Sequence, residues 1–233
     1  SAIYECPLDA GWWEFSKNFV ELLNGSKFDA VHSHVYYYSG RVLQLAHRAG
    51  VPRRLAHFRT EHDGKPLTPF RRLYHGYMRH LIHRHATDIL AVCRGVMESS
   101  WKNWTADPRC RVIYNGINLE RFQGLDTARG DVRRELHIPD DHGMLIHVGS
   151  FQAAKAHEVL LKAMANIVEA QPATELLLVG EGGLKEVMIK KAALLGISCN
   201  VHFLGLRDDV PRLLRAADCF VLSSRREGLP GVI

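Results

Sequence analysis

Short runs of apolar residues alternate along this chain with stretches in which apolar residues recur at helical spacing. Residues 28–34 (FDAVHSH), 53–60 (RRLAHFRT), 88–93 (DILAVC) and 111–117 (RVIYNGI) are of the first kind. They predict buried strands, the last ending on an Asn-Gly turn signal. Between them lie helical patterns over 40–48, from Phe70 onward, and over 94–104. From Phe70 the apolar positions are Phe70, Leu73, Tyr74, Tyr77, Met78, Leu81 and Ile82, the spacing of an amphipathic helix.

The second half repeats the pattern more cleanly. Strands are predicted over 144–149, 174–180, 200–204 and 218–223. Helices are predicted over 155–170, over 183–195 and over 208–216, the last with Asp208 as its N-cap. Residues 123–143 are polar, carry Gly124, Gly130, Pro139 and Gly143, and show one short helical piece near 131–137. They read as a connection between domains. Near-continuous apolar strands alternating with helices imply parallel sheets covered on both faces. The expected fold class is therefore α/β, with two Rossmann-like doubly wound domains. Residues 1–122 make the first, 123–143 the connection and 144–233 the second, with a cleft between the domains.

Composition narrows the function classes. With 233 residues, 46% hydrophobic and 24% charged, the chain fits neither disordered nor collagen-like classes. No apolar run approaches the roughly 20 residues of a membrane-spanning helix. No charged-then-apolar leader is seen, and the chain opens on Ser1. The N-x-S/T matches at Asn24 and Asn103 are accordingly read as chance. A net charge of +5 permits attraction to phosphates or an anionic membrane and requires neither. Five cysteines without a CxxC pair read as small buried thiols of a reducing, cytoplasmic compartment. Basic residues are dispersed, with no aromatic–basic ladder, which argues against nucleic acid as a partner. His80, His83 and His85 lie close together, but no cysteine or carboxylate has zinc-ligand spacing to them, so no metal site is expected.

In open parallel sheets, ligands bind beyond the carboxyl ends of the strands. The segments there are GSFQAAKAH (149–157), GEGGL (180–184), GLRDDV (205–210) and SSRREGLPG (223–231). Gly149, Gly180, Gly182 and Gly183 let backbone N–H groups approach a ligand, and Lys155 sits at a helix start. Together they form a candidate diphosphate cradle. GEGG alone also fits a tight strand–helix turn. It lacks the third glycine of GxGxxG, and no acidic residue follows about 20 positions on, which argues against a dinucleotide-dependent oxidoreductase.

Seven segments, in order, carry a resemblance: 28–40 (FDAVHSHVYYYSG), 60–63 (TEHD), 112–122 (VIYNGINLERF), 148–157 (VGSFQAAKAH), 178–184 (LVGEGGL), 201–210 (VHFLGLRDDV) and 217–232 (ADCFVLSSRREGLPGV). From about Phe28 the chain resembles the GT-B glycosyltransferases of the family-4 type, particularly the exopolysaccharide-synthesis branch. The resemblance implies transfer of a sugar, with retention, from a nucleotide-diphosphate sugar to a glycan or lipid-linked acceptor. It implies no metal and no cofactor. Lys155 matches the family's phosphate-binding lysine, and Gly180, Gly182 and Gly183 match the loop near the phosphates. The backbone around Leu206 and Arg207 matches the segment holding the nucleobase. Glu227 matches the first of the paired glutamates beside the transferred sugar, and Gly228, Leu229 and Pro230 continue that donor-side motif. His34 matches the first-domain histidine that faces the sugar. For His34 the plainer alternative is a strand-end histidine satisfied by backbone, and for Lys155 and Glu227 it is ordinary surface charge.

Two departures stand out. Where the family usually has an arginine directly after the glycine matched by Gly149, this chain has Ser150, which supplies no charge. Arg225 or Arg226 is the candidate substitute. The resemblance also places the second glutamate past Ile233, and an opening strand with a glycine-rich loop before Ser1. Both domains are therefore expected to be incomplete, in an internal piece that does not turn over alone. A truncated or degenerate, non-catalytic nucleotide-sugar-binding module is the competing reading. Arg72, His75, Arg79 and His83 form a stripe opposite the apolar face of their helix and are expected to be solvated. The alternative is peripheral docking to an anionic membrane, at its inner face, or to a lipid-phosphate acceptor.

Overall fold

The computed structural model describes residues 2–7, 11–61, 66–225, 227–229 and 231. They divide into two compact units, one of Ser1–Gly116 with Glu227–Gly231 and one of Ile117–Arg226. Each is built on a four-stranded sheet.

In the first unit, strands β1 (Ala30–Ser33), β2 (Arg53–Phe58), β3 (Asp88–Ala91) and β4 (Cys110–Val112) lie in sequential order and are all parallel. Helices α1 (Trp12–Gly25), α2 (Ser39–Arg48), α3 (Pro69–His85) and α4 (Arg94–Ser100) complete it. Leu43, Phe58, Met78, Ile82, Ile89 and Val96 form the core. The elements expected from the pattern begin at Phe28; the structure adds α1, which buries Phe15 and Leu23.

Helix α3 departs from its expected orientation. Thr68 caps it, its side chain accepting from the Arg71 N–H, and Pro69 opens it. Met78, Leu81 and Ile82 are buried as the spacing predicts, yet Phe70 is 86% exposed and Leu73 75%. Half of the basic stripe, His75 and Arg79, is correspondingly turned inward. Arg79 donates to the Tyr37 hydroxyl at 2.8 Å. The His75 ring lies 4.7 Å from that of Tyr37, and His83 stacks on Trp101. Of the four stripe residues, Arg72 and His83 are exposed. The cause is a close approach of α2 to α3, where a Cβ on Gly40 would lie 2.3 Å from the Met78 carbonyl oxygen. That approach fixes which side of α3 meets the core. It leaves the first half of the apolar stripe without a neighbour.

In the second unit, β5 (Gly143–Val148), β6 (Thr174–Val179), β7 (Val201–Gly205) and β8 (Cys219–Phe220) are parallel, in the order β7-β6-β5-β8. Every residue of β6 is buried. Successive side chains of a strand point to opposite faces. Leu176 and Leu178 accordingly pack on Leu161 and Met164 of α6 (His157–Ala170) and Met188 of α7 (Lys185–Leu194). Leu177 and Val179 pack on the other face, against Val132 of α5 (Ala128–Leu136) and Leu213 of α8 (Val210–Ala216).

Residues 123–143, expected as a connection, thus hold a helix of the second unit. The polar composition hid Val132 and Ile138, both in its core, and Arg133, which is 2% exposed and donates to the carbonyls of Pro139 and His142. The residue before α8 is Asp209 rather than Asp208, and its carboxylate is taken by Arg207 and Arg212 instead of the helix end. Among the described residues, no helix is long and apolar enough to cross a membrane.

The two helical glycines of the α2–α3 pair separate packing from propensity. Nothing lies within 4 Å of a Cβ on Gly76. Gly76→Ala is expected to stabilise by about 1 kcal/mol through helix propensity. Gly40→Ala is expected to destabilise by about 1–3 kcal/mol through overpacking. Urea unfolding of both variants checks the contrast.

Candidate functional site

All strands of the second unit being parallel, the segments after them emerge on one edge. Backbone hydrogen bonds stitch them together there. Gly149 N–H donates to Val179 O at 2.9 Å, Phe151 N–H to Glu181 O at 3.0 Å, and Gly180 N–H to Gly205 O at 2.8 Å. The turn after β6 needs its glycines. Gly180 has φ +140° and Gly182 φ +155°, conformations that side chains rarely adopt. A Cβ at 180 would lie 2.2 Å from the Gly149 carbonyl oxygen, and one at 182 would lie 2.7 Å from that of Phe151. Gly183 carries no such demand. Ser150 sits in the same stack, its N–H 3.5 Å from a Cβ at 180.

Lys155 ends a short 3-10 turn and lays its stem along Gly149. Ala156 follows at φ +51°, a left-handed conformation that costs a non-glycine residue about 1–2 kcal/mol. Strain of this kind gathers at functional loops. The segment after β8 is clasped to the turn: Ser223 Oγ donates to Lys155 O at 2.8 Å, and Arg225 N–H to Ala154 O at 2.9 Å. The first residue of α6, His157, is 3% exposed and stacks on Phe151, ring centres 4.3 Å apart. Neither of its ring nitrogens has a hydrogen-bond partner among the described residues. Burial pushes its pKa down to about 4, helped by His147 and Lys155 nearby.

Arg207 is committed elsewhere. It makes two 2.8 Å contacts to Asp209 and one to Glu135, which also holds Arg212. These bonds hold the Asp209 carboxyl below the usual range and tie α5 to α8. The Arg207 charge at this corner is thus already met by Asp209 and Glu135. The Leu206 side chain is 79% exposed.

The first unit holds His34, directly after β1. Its ring lies 4.2 Å from that of His32 and 5.0 Å from that of His57 on β2. His57 is 6% exposed, and burial, with the neighbouring histidines and Arg59, lowers its pKa to about 4. Two residues on, Tyr36 adopts φ +51° while its hydroxyl donates to Glu61 O at 2.9 Å. A bulky residue in that region marks a strained loop. Glu227, Gly228 and Leu229 belong to this unit. Gly228 O accepts from Cys93 Sγ, and a Cβ on Gly228 would meet Arg59 O at 2.0 Å. Leu229 packs against the core, and Glu227 is half-buried. Pro230, Arg226, and the His62 and Asp63 of TEHD lie outside the described residues.

Of the expected site residues, Gly149, Ser150, Lys155, Gly180, Gly182, Gly183, Leu206 and Arg207 share one edge of the second unit. His34, Glu227, Gly228 and Leu229 lie in the first. Sequence reasoning did not single out His32, His57, His157 or Ser223. Spacing of two along a strand places His32 beside His34. His57 joins them through strand register, which one sequence does not reveal.

Residues 6–121 match the family "Glycosyltransferase Family 4" and residues 128–233 match "Glycosyl transferases group 1". EpsF of Bacillus subtilis, a glycosyltransferase by name, is 32% identical over 211 residues, covering 88% of this chain and 54% of EpsF. The capsular polysaccharide biosynthesis glycosyltransferase CapH of Staphylococcus aureus is 24% identical over 231 residues, covering 97% of this chain and 61% of CapH. The chain thus spans somewhat over half the length of these relatives. Among solved structures, HepE of Anabaena in complex with UDP and glucose superposes with a TM-score of 0.71 at 18% identity, covering 90% of this chain and 56% of HepE. WaaG, a glycosyltransferase involved in lipopolysaccharide biosynthesis, gives a TM-score of 0.66 at 19% identity, covering 97% of this chain and 60% of WaaG.

The buried His157 has a consequence for acid stability. Its folded pKa of about 4 lies below the ordinary 6.5, so between those values the unfolded chain binds the extra proton. Its contribution to stability is intact above pH 6.5 and is lost as pH falls toward 4, by about 2 kcal/mol at pH 5. His157→Phe, which keeps the ring on Phe151, is expected to lessen the stability lost between pH 7 and pH 5 in urea unfolding.

Proposed function

The chain belongs to the GT-B glycosyltransferases of the family-4 type, and from that premise we propose that it serves transfer of a sugar from a nucleotide-diphosphate sugar to a glycan or lipid-linked acceptor in polysaccharide biosynthesis. The observation that carries this reading is the edge of the second unit, where Lys155, the start of α6 and the glycine turn meet. A departing diphosphate gains negative charge. On this edge it is met by the Lys155 ammonium, by backbone N–H groups and by the positive end of a 14-residue helix. No metal is needed for that stabilisation, and transfer proceeds with retention. The glycine turn brings backbone close enough to bond phosphate oxygens. The backbone at Leu206 and Arg207 takes the nucleobase. The UDP bound by HepE supports a nucleoside diphosphate as the ligand class.

Ser150 contributes a hydrogen bond without charge. Arg225 supplies the missing cation: its backbone is pinned to the Lys155 turn, and its side chain is exposed. His34 and Glu227 act on the sugar, His34 through an imidazole whose pKa burial and His32 depress, so that it is neutral near pH 7. A cytoplasmic setting is proposed from the cysteine pattern, although the thiols expected to be buried are part-buried (Cys6, Cys93, Cys110) or exposed (Cys199, Cys219). A lipid-linked acceptor is met at an anionic membrane by Arg72 with the exposed Phe70 and Leu73, in place of the inward-turned His75 and Arg79. The second reading, a nucleotide-sugar-binding module without catalysis, is favoured by Ser150 alone.

Thermal-shift and calorimetric titration with UDP, GDP, ADP and NAD tests the assignment. One nucleoside diphosphate is expected to stabilise the chain. Lys155→Ala is expected to weaken it by about 10–100-fold, the worth of a charge-assisted hydrogen bond. A response to NAD alone, or unchanged affinity in the variant, contradicts it.

A further inference from the structure

β1 and β2 run parallel with Ser33 opposite Ala56, so the next positions, His34 and His57, come side by side where the strands end. His32, two residues before His34, faces the same way. One ring nitrogen from each of the three lies within 4.8 Å of the others. His32 Nε2 and His57 Nδ1 are 3.1 Å apart, sharing one proton. Two nitrogens held 2.0–2.1 Å from one tetrahedral ion lie about 3.3 Å apart, so a metal ion fits where that proton sits. His57 is buried and fixed by its strand, whereas His32 and His34 face solvent. Among the described residues that gives three protein ligands, the number of a metal site whose fourth position holds a water.

Among the described residues the ligand set is purely imidazole. Imidazole suits Zn2+, Cu2+ and Ni2+, whereas Mg2+ and Ca2+ require oxygen ligands. We propose that His32, His34 and His57 form an open three-histidine site for a divalent transition-metal ion, with Zn2+ as the first occupant. The proposal rests on the cluster's geometry alone; an ion held here takes the His34 nitrogen that the transfer reading gives to the sugar, so ion and sugar exclude one another at that residue. Arg59, two residues after His57, is the cation that opposes an ion here. Its guanidinium donates to Asn115 Oδ1 at 3.0 Å, and its side chain is exposed.

Titration of the chain with Co2+, read by ligand-field absorption, and displacement by Zn2+ test the site. The expected result is one equivalent of metal with a ligand-field spectrum free of thiolate charge transfer, which excess Mg2+ leaves unchanged. His32→Asn and His57→Asn are expected to weaken binding by at least about tenfold, since disturbing even a metal ligand's outer partner costs that much. His80→Asn leaves it unchanged, and Arg59→Gln tightens it. If His57→Asn loses its circular-dichroism spectrum, His32→Asn and His34→Asn, at exposed positions, carry the comparison. No binding, a thiolate charge-transfer spectrum, or equal affinity in the parent and the His32 variant overturns the proposal.

Discussion

Two backbone segments of the second unit lie closer together than any side chain permits. A Cβ on Gly180 would sit 2.2 Å from the Gly149 carbonyl oxygen, and one on Gly182 would fall against Phe151. Because those positions are glycine, the turn after β6 rests directly on the segment after β5. Gly180 N–H then reaches Gly205 O after β7, while Ser223 and Arg225 reach the Lys155 turn from the segment after β8. Four loops are thereby joined on one edge, mostly through main-chain bonds. The positive end of α6 and the Lys155 ammonium belong to that edge, and the proposed diphosphate meets both there.

The first unit uses the same device for different ends. Gly40 lets α2 approach Met78 of α3, which rotates Arg79 and His75 toward Tyr37 and leaves Phe70 and Leu73 uncovered. Gly228 lies against Arg59 O, and Leu229 beside it packs on this unit's core. The strained Tyr36 and the histidine cluster lie on the same short stretch of chain as His34. Burial and mutual repulsion depress the imidazole pKa values there, beside the left-handed Tyr36.

Much of the fold was legible. Runs such as LLLV in β6 are apolar throughout because both faces of that strand are buried, and a parallel sheet follows from that. The loop edge was legible too, since strand ends and glycines can be counted. What escaped depends on contacts between distant residues. The spacing from Phe70 announces an apolar face, but nothing in it says that α2 covers only the half near Met78. Residues 123–143 look like a linker because Val132 and Ile138 are outnumbered by charges, and one of those charges, Arg133, is itself buried. That the Arg207 guanidinium is held by Glu135, 72 positions away, is a contact no spacing announces. The family resemblance supplied roles for His34 and Glu227 that neither composition nor spacing could.

The central claim is that the loop edge of the second unit receives a nucleoside diphosphate. Mapping backbone amide shifts of the isotope-labelled chain on addition of UDP tests it most directly. The account predicts that the largest perturbations cluster on Gly149, Ser150, Gly180, Gly182, Gly183 and Leu206, joined by the first turn of α6. Perturbations confined to other surfaces, or none with any nucleoside diphosphate, would contradict it.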